Sequence, residues 1–244
     1  MTISKLLIAS ACTAGGLLFA QAAISADLGP FFKAEAGFSK ARNANFRDDQ
    51  PNSPNCVMQP AVGAVCTGAL NHLGSGWNFG VGVGYKFPGG FRADISYNHR
   101  AGYNLKGRDE AGTDFDPNVK SDAVMLNGAL NMPFKLGSVQ PFIGAGIGRS
   151  RNDMKPLNWN DPGCCRGTLT GGKKTDTAWQ VTLGADIEVS KGWTLEVSYR
   201  YMDMGKFVKQ GGPDQAGLFG TGVTGPMSGK LRSNEINVGF SLPF

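Results

Sequence analysis

The chain alternates apolar and polar residues with a period of two along most of its length. In Trp193-Thr194-Leu195-Glu196-Val197-Ser198-Tyr199-Arg200-Tyr201 every odd position is apolar or aromatic and every even position is polar. Phe91 to Asn98 repeats the pattern, and Trp77 to Phe87 alternates large apolar residues with Gly or polar ones. Ile236, Val238, Phe240 and Leu242 carry it to the terminal Phe244. Between Trp179 and Val189 one face collects Val181, Leu183, Ala185 and Ile187, and the other Gln180, Thr182, Asp186 and Glu188. Two is the side-chain period of a β-strand. Weaker alternation over residues 31–39, 122–131 and 139–149 brings the prediction to eight strands of about ten residues each.

The connections between these segments alternate in length. Pro88-Gly89-Gly90, a stretch of about Met132–Gly137, and Ser190-Lys191-Gly192 are short. Residues 41–75, 101–119, 150–173 and 205–229 are long, polar and rich in Gly, Pro, Asn and Asp. That rhythm predicts an all-β fold, an eight-stranded antiparallel up-and-down transmembrane β-barrel with short periplasmic turns and four long external loops. A soluble barrel shows the same alternation with the faces exchanged, so period alone does not separate the two. Strand length does: about ten residues suits a tilted path through a bilayer, whereas soluble strands average about five or six. Trp77, Tyr85, Phe87, Phe91, Tyr97, Trp193, Tyr199 and Tyr201 also sit at the ends of the apolar faces, where interfacial girdles form.

Composition narrows the alternatives. Gly accounts for 36 of 244 residues, roughly double the usual 7%, without the three-residue period of collagen. Helix interiors tolerate Gly poorly, which argues against a coiled coil or helical bundle. Frequent, regularly spaced apolar residues exclude a charge-swollen disordered chain. Lys5 followed by the apolar run from Leu6 to Ala23, with Asp27 as the first acidic residue, predicts a cleaved signal peptide over residues 1–26 and a barrel domain over 27–244. The formal charge of +5 is divided between strand faces and loops, so nucleic acid is not an expected partner.

Pro141-Phe142-Ile143-Gly144-Ala145-Gly146-Ile147-Gly148, Leu195-Glu196-Val197-Ser198-Tyr199-Arg200-Tyr201 and the terminal apolar column resemble the eight-stranded outer-membrane β-barrel superfamily of Gram-negative bacteria. This superfamily includes the transmembrane domain of outer membrane protein A and the opacity proteins, and the resemblance is to its alphaproteobacterial surface-antigen branch. It implies an integral protein of the outer membrane that is exported through the periplasm. It further implies that Phe240, Leu242 and Phe244 form the signal read by the barrel-assembly machinery, and that outer-membrane lipid and lipopolysaccharide surround the protein. The motifs are specific for the barrel and say little about function. Pro243 departs from the family pattern, at a strand end where a missing N–H is tolerated.

In a membrane barrel the polar face is the lumen. It would hold Lys33, Lys86, Arg92, Arg100 and Arg200 against Glu35, Asp94, Asp186, Glu188, Glu196 and Glu235. Eight strands enclose a space that side chains just fill, and unpaired buried charge is costly, so these groups are expected to pair into a closed plug. The other open reading is a narrow porin passing ions or very small solutes. Inward Gly80, Gly82, Gly84, Gly144, Gly146 and Gly148 would leave room for long charged side chains.

Cys56 and Cys66 lie in the first long connection, and Cys164 and Cys165 in the third. A Cys56–Cys66 bridge would close about ten residues for roughly 2–3 kcal/mol, although pairing across loops stays open. No metal or cofactor site is expected. Nor is enzyme activity, because His99 lies across the pleat from Ser96 and Asn98, and His72 sits in a loop. Arg149, Arg151, Lys155, Arg166, Lys173 and Lys174 outnumber Asp153 and Asp161 in the third connection, a basic excess suited to lipopolysaccharide phosphates or simply to water. The expected role is structural and surface-exposed, with loops for envelope or external contacts and no identifiable external ligand.

Overall fold

Each alternating segment is a strand in the computed structural model, which describes residues 28–42, 47–48, 56–59, 63–66, 74–104, 107–108, 114–115, 118–161, 165–190, 192–209, 212–216, 220–224 and 227–244. The segment from 1 to 26 read as a signal peptide, His72 and Cys164 lie outside the described residues. The long strands are β1 (Gly29–Ala41), β2 (Ser75–Lys86), β3 (Phe91–Asn104), β4 (Asn118–Asn131), β5 (Val139–Met154), β6 (Gly172–Ser190), β7 (Trp193–Lys209) and β8 (Met227–Pro243). Consecutive strands pair antiparallel, and β1 pairs with both β2 and β8, which closes the sheet on itself and leaves no long edge. Phe38, for example, stands opposite Trp77 on one side and Ile236 on the other.

The three short connections turn as their residues dictate. Pro88-Gly89-Gly90 forms a single 3-10 turn, and Gly137 and Gly192 adopt positive φ in the other two. At the opposite end the long connections carry structure of their own. Leu157–Asp161 pairs with Cys165–Leu169, and Gly212–Ala216 with Gly220–Thr224; both hairpins join a second sheet with the short strands Gly107–Arg108 and Asp114–Phe115. The stretch from 205 to 229, expected to be one Gly-rich loop, therefore contains the end of β7, a hairpin and the start of β8.

The strands are longer than the alternation predicts, running from 12 residues in β2 to 19 in β6. All of the added length in β3 to β8 except a residue or so lies at the loop end. Residues 150–154 and 172–173, read as part of a long connection, are strand, and so are 174–178, which precede the alternation from Trp179. The cause is a second interior layer. Tyr103, Val119, Met125, Met154, Met202, Met204, Phe207 and Leu231 are buried together inside the loop end of the barrel, and their burial repays the ordering of those extensions.

Two bulges help to aim residues into this layer. The β3–β4 register shifts between Arg100 and Tyr103, and the β7–β8 register between Asp203 and Lys206. Each contains a glycine at positive φ, Gly102 at 29° and Gly205 at 71°. An extra residue reverses which face a strand presents, so Tyr103 follows Arg100 into the interior and Phe207 follows Met204.

Exposure inverts the arrangement of a soluble domain. Glu235, Arg100, Arg200 and Glu196 are no more than 4% exposed, whereas Ile236, Ile147, Leu126 and Ile95 are 57% or more exposed. An apolar belt of this extent around a polar interior requires lipid as its solvent.

Candidate functional site: the barrel interior

Eight charged residues of the interior form one chain of alternating sign. It begins near the turn end with Asp186 of β6, bound by the Arg92 guanidinium of β3, which also donates to Glu196 of β7 at 3.1 Å. Lys33 of β1 donates to Glu196 at 2.8 Å and lies 3.2 Å from Glu35. Arg200 of β7 grips both oxygens of Glu35, at 2.7 and 2.8 Å, and stands 3.6 Å from Glu235 of β8. Arg100 of β3 then closes on Glu235 through Nε at 2.7 Å and Nη2 at 3.1 Å. Four carboxylates and four cations thus interleave through one connected path. Charges this deeply buried are tolerable only when paired and hydrogen-bonded.

Neutral groups fill out the network. Glu235 also accepts from Ser39 at 3.1 Å and Ser233 at 2.8 Å, and the Ser39 hydroxyl meets the Tyr103 hydroxyl at 2.6 Å. Asp94 accepts from Asn127 at 2.6 Å. The Arg92 guanidinium lies 4.3 Å from the centre of the Phe142 ring, a cation–π contact that uses its remaining face. Glycine makes the network possible: a Cβ on Gly80 would stand 2.8–2.9 Å from the Glu35 side chain, and one on Gly146 would meet Asn127 and Gln180. Lys86 and Glu188, the other two charges expected in the lumen, stand at its turn-end mouth, where they help line a cavity of about 70 Å³. A second cavity, about 30 Å³, lies beside Lys33, Glu35, Asp94 and Arg200. Spaces of this size hold a few waters.

Above Arg100 the interior changes character. The Arg100 Nη2 contacts the Met202 sulfur at 2.6 Å, and Met202 opens the apolar layer. Along β7 the inward residues run Glu196, Ser198, Arg200, Met202, Met204. The β7 bulge is fastened by the two strands that precede it in the sheet. Ser150 and Asn152 of β5 donate to the Met204 carbonyl, Asn152 also to that of Lys206 at 2.9 Å, and Asp176 of β6 accepts from the Lys206 N–H at 2.9 Å. The reading from sequence missed this layer because it assigned every apolar residue to the exterior. The signal was present in Met202-Asp203-Met204-Gly205, where the alternation keeps its period but reverses its phase.

On the outside, His99 faces away from Ser96, which is buried within the barrel. The His99 ring nitrogen Nδ1 lies 2.7 Å from Asp122 of β4, and Tyr97 donates to the same carboxylate oxygen at 2.6 Å. Asp122 was not anticipated as a partner. Phe240 is exposed on the outward column of β8 with Leu242 in the same column, Pro243 ends the strand, and Phe244 is exposed just beyond it. In the first connection the backbone pairs Cys56 directly with Cys66 across the hairpin of Cys56–Gln59 and Gly63–Cys66.

A closed eight-strand antiparallel barrel with a buried charge network and an apolar belt is an integral outer-membrane barrel. The chain belongs to the outer membrane protein beta-barrel domain family, whose model matches residues 10–244. A protein of Rickettsia conorii named as a candidate adhesin is 29% identical over 138 residues, covering 54% of this chain and 55% of that protein. The chain spans about half the length of the curated relatives it matches. Among solved structures, outer membrane protein OprG from Pseudomonas aeruginosa matches at TM-score 0.50 and 13% identity, covering 89% of this chain and 98% of that one. Neisserial surface protein A matches at TM-score 0.48 and 16% identity, covering 88% and 97%. These structural likenesses concern the fold alone.

Proposed function

We propose that this protein is a sealed, non-enzymatic barrel whose work is done at the cell surface: the wall anchors it, the packed interior stiffens it, and the hairpins of the long connections make external contacts. The observation that carries this reading is the double filling of the interior, a sign-alternating ion-pair chain beneath an apolar layer. The name of the Rickettsia relative supports attachment as the kind of contact involved. Phe240, Leu242 and Phe244 serve as the assembly signal, residues 1–26 as the export signal, and a Cys56–Cys66 bridge, supported by the backbone register, fastens the first connection in an oxidising compartment.

Conductance across a planar bilayer tests the seal. The refolded full chain, checked by heat-modifiable migration, is expected to carry no steady current. Arg92→Ala alone leaves the apolar layer in place and Phe207→Ala alone leaves the ion-pair chain, so each stays closed. The double variant conducts. A steady current through the unaltered protein overturns the proposal and makes it a narrow porin with the lumen charges as its filter.

A further inference from the structure

The outward face of the wall changes abruptly on β4, β5 and β6. Up to Val124, Ile147 and Trp179 it is apolar and exposed. One step further toward the loops, two residues or about 7 Å along a strand, it becomes polar or charged, with Asp122 on β4, Arg149 on β5 and Thr177 on β6. Arg149 and Arg151 of β5 are both exposed in the same outward column as Ile147. Lys120 of β4 and Lys173 of β6 flank Asp153, the next outward residue of β5. Arg149, Arg151, Asp153 and Lys173 were read from sequence as loop charges; they stand instead on strands at the border of the apolar belt.

The carboxylates in this patch are already engaged. Asp153 is 3.3 Å from Lys173, and Asp122, opposite Arg151 in the register, accepts from Tyr97 and meets His99. Arg149 has Val124 on one side and Thr177 on the other. Among the described residues neither arginine makes an ion pair. Arg149 has no carboxylate beside it in the register and Arg151 has only Asp122, a carboxylate already shared with Tyr97 and His99, and the surface below them is one that acyl chains would cover.

We propose that Arg149 and Arg151 form a binding site for a phosphorylated lipid of the outer leaflet. Its acyl chains lie along Ile147, Val124 and Trp179, and its phosphate is held by the two guanidinium groups. Planar forks two residues apart in one column present parallel donors to phosphate oxygens, which is the geometry that favours Arg over Lys at such sites. Lys120 supplies further positive potential. This inference rests on the membrane orientation of the barrel and is independent of whether the lumen is sealed.

Native mass spectrometry of the full-length barrel in zwitterionic micelles provides the test, with bis-phosphorylated lipid A as the probe. The unaltered protein is expected to retain the lipid, and Arg149→Gln with Arg151→Gln to lose about tenfold in affinity, the equivalent of one charge-assisted contact. Lys135→Gln, an exposed cation in the turn between β4 and β5, should bind as the unaltered protein does. Dephosphorylated lipid A should bind the unaltered protein as weakly as the phosphorylated lipid binds the double variant; this arm needs no variant to fold. Equal retention by the double variant, or equal binding of the dephosphorylated lipid, overturns the proposal. Mole-for-mole displacement by inorganic phosphate also overturns it, in favour of a site for the free anion.

Discussion

The two halves of this barrel obey opposite rules. In the half nearer the short turns, charges face inward and Phe38, Ile147, Val197 and Ile236 face outward. Beyond Arg100 and Arg200 the interior is built around Met, Tyr, Phe and Leu, with Ser121, Ser150, Asn152 and Lys209 buried beside them, while the exterior becomes Lys40, Lys120, Arg151, Lys206 and Lys230. Both halves use the same pleat. What differs is the solvent each outer face meets, lipid below and water above, and the inner face takes the complementary character in each case. The upper half is built like a soluble barrel stacked on a membrane one, and the junction falls at the same height on β1, β3, β7 and β8.

The comparison breaks most visibly at Glu235, which is fully buried between Arg100 and Arg200. Glu235→Ala leaves two guanidinium groups without their shared anion, and the expected loss is about 4 kcal/mol. Urea titration in micelles, read from the folded and unfolded bands on gels, would give the midpoint shift. A loss below about 1 kcal/mol, the size of an exposed pair, would mean that water solvates the lower interior and that the two halves differ less than their side chains imply.

In the upper half the corresponding change is Met204→Ala. Met204 is fully buried among Met202, Phe207 and Leu231, so truncation creates a cavity and should cost about 3 kcal/mol. The same titration reads it. If Met204→Ala is neutral while Glu235→Ala is not, the apolar layer is a loose cover, and the barrel depends on its ion pairs alone.

How much of this was visible beforehand follows from the same inversion. The strands in the lipid-facing half were legible because their apolar face is continuous, as in Leu195, Val197, Tyr199 and Tyr201, and so were the short turns with Pro88 or Gly192. The charges that meet in the interior shared a parity that could be read residue by residue, but which cation meets which carboxylate depends on strand tilt and was not. The upper half was hidden for two reasons. At Met202 the apolar residues move to the even positions, so a strand that continues looks like one that ends. At Gly102 and Gly205 a bulge then shifts the parity once more, and Tyr103 and Phe207 fall out of any fixed alternation. Asp122 beside His99 was missed because the pairing spans two strands with no sequence proximity.

Gly205 shapes the bulge that continues the upper half along β7, and it gives the smallest but most local test. Its φ of 71° costs an L-residue about 1–2 kcal/mol, and a Cβ there would stand 2.6–2.8 Å from the Asp176 side chain. Asp176 is the acceptor for the Lys206 N–H, so a side chain at 205 strikes the group that holds the bulge open. Gly205→Ala should therefore lower the urea midpoint by the equivalent of about 1–2 kcal/mol while leaving the lower half in place. Amide hydrogen exchange separates the halves: faster exchange is expected at Lys206 to Val208, with no change at Glu196 to Arg200. Uniform acceleration along β7 would mean that the bulge supports the whole strand, and the division of the barrel at Arg200 would be one of composition only.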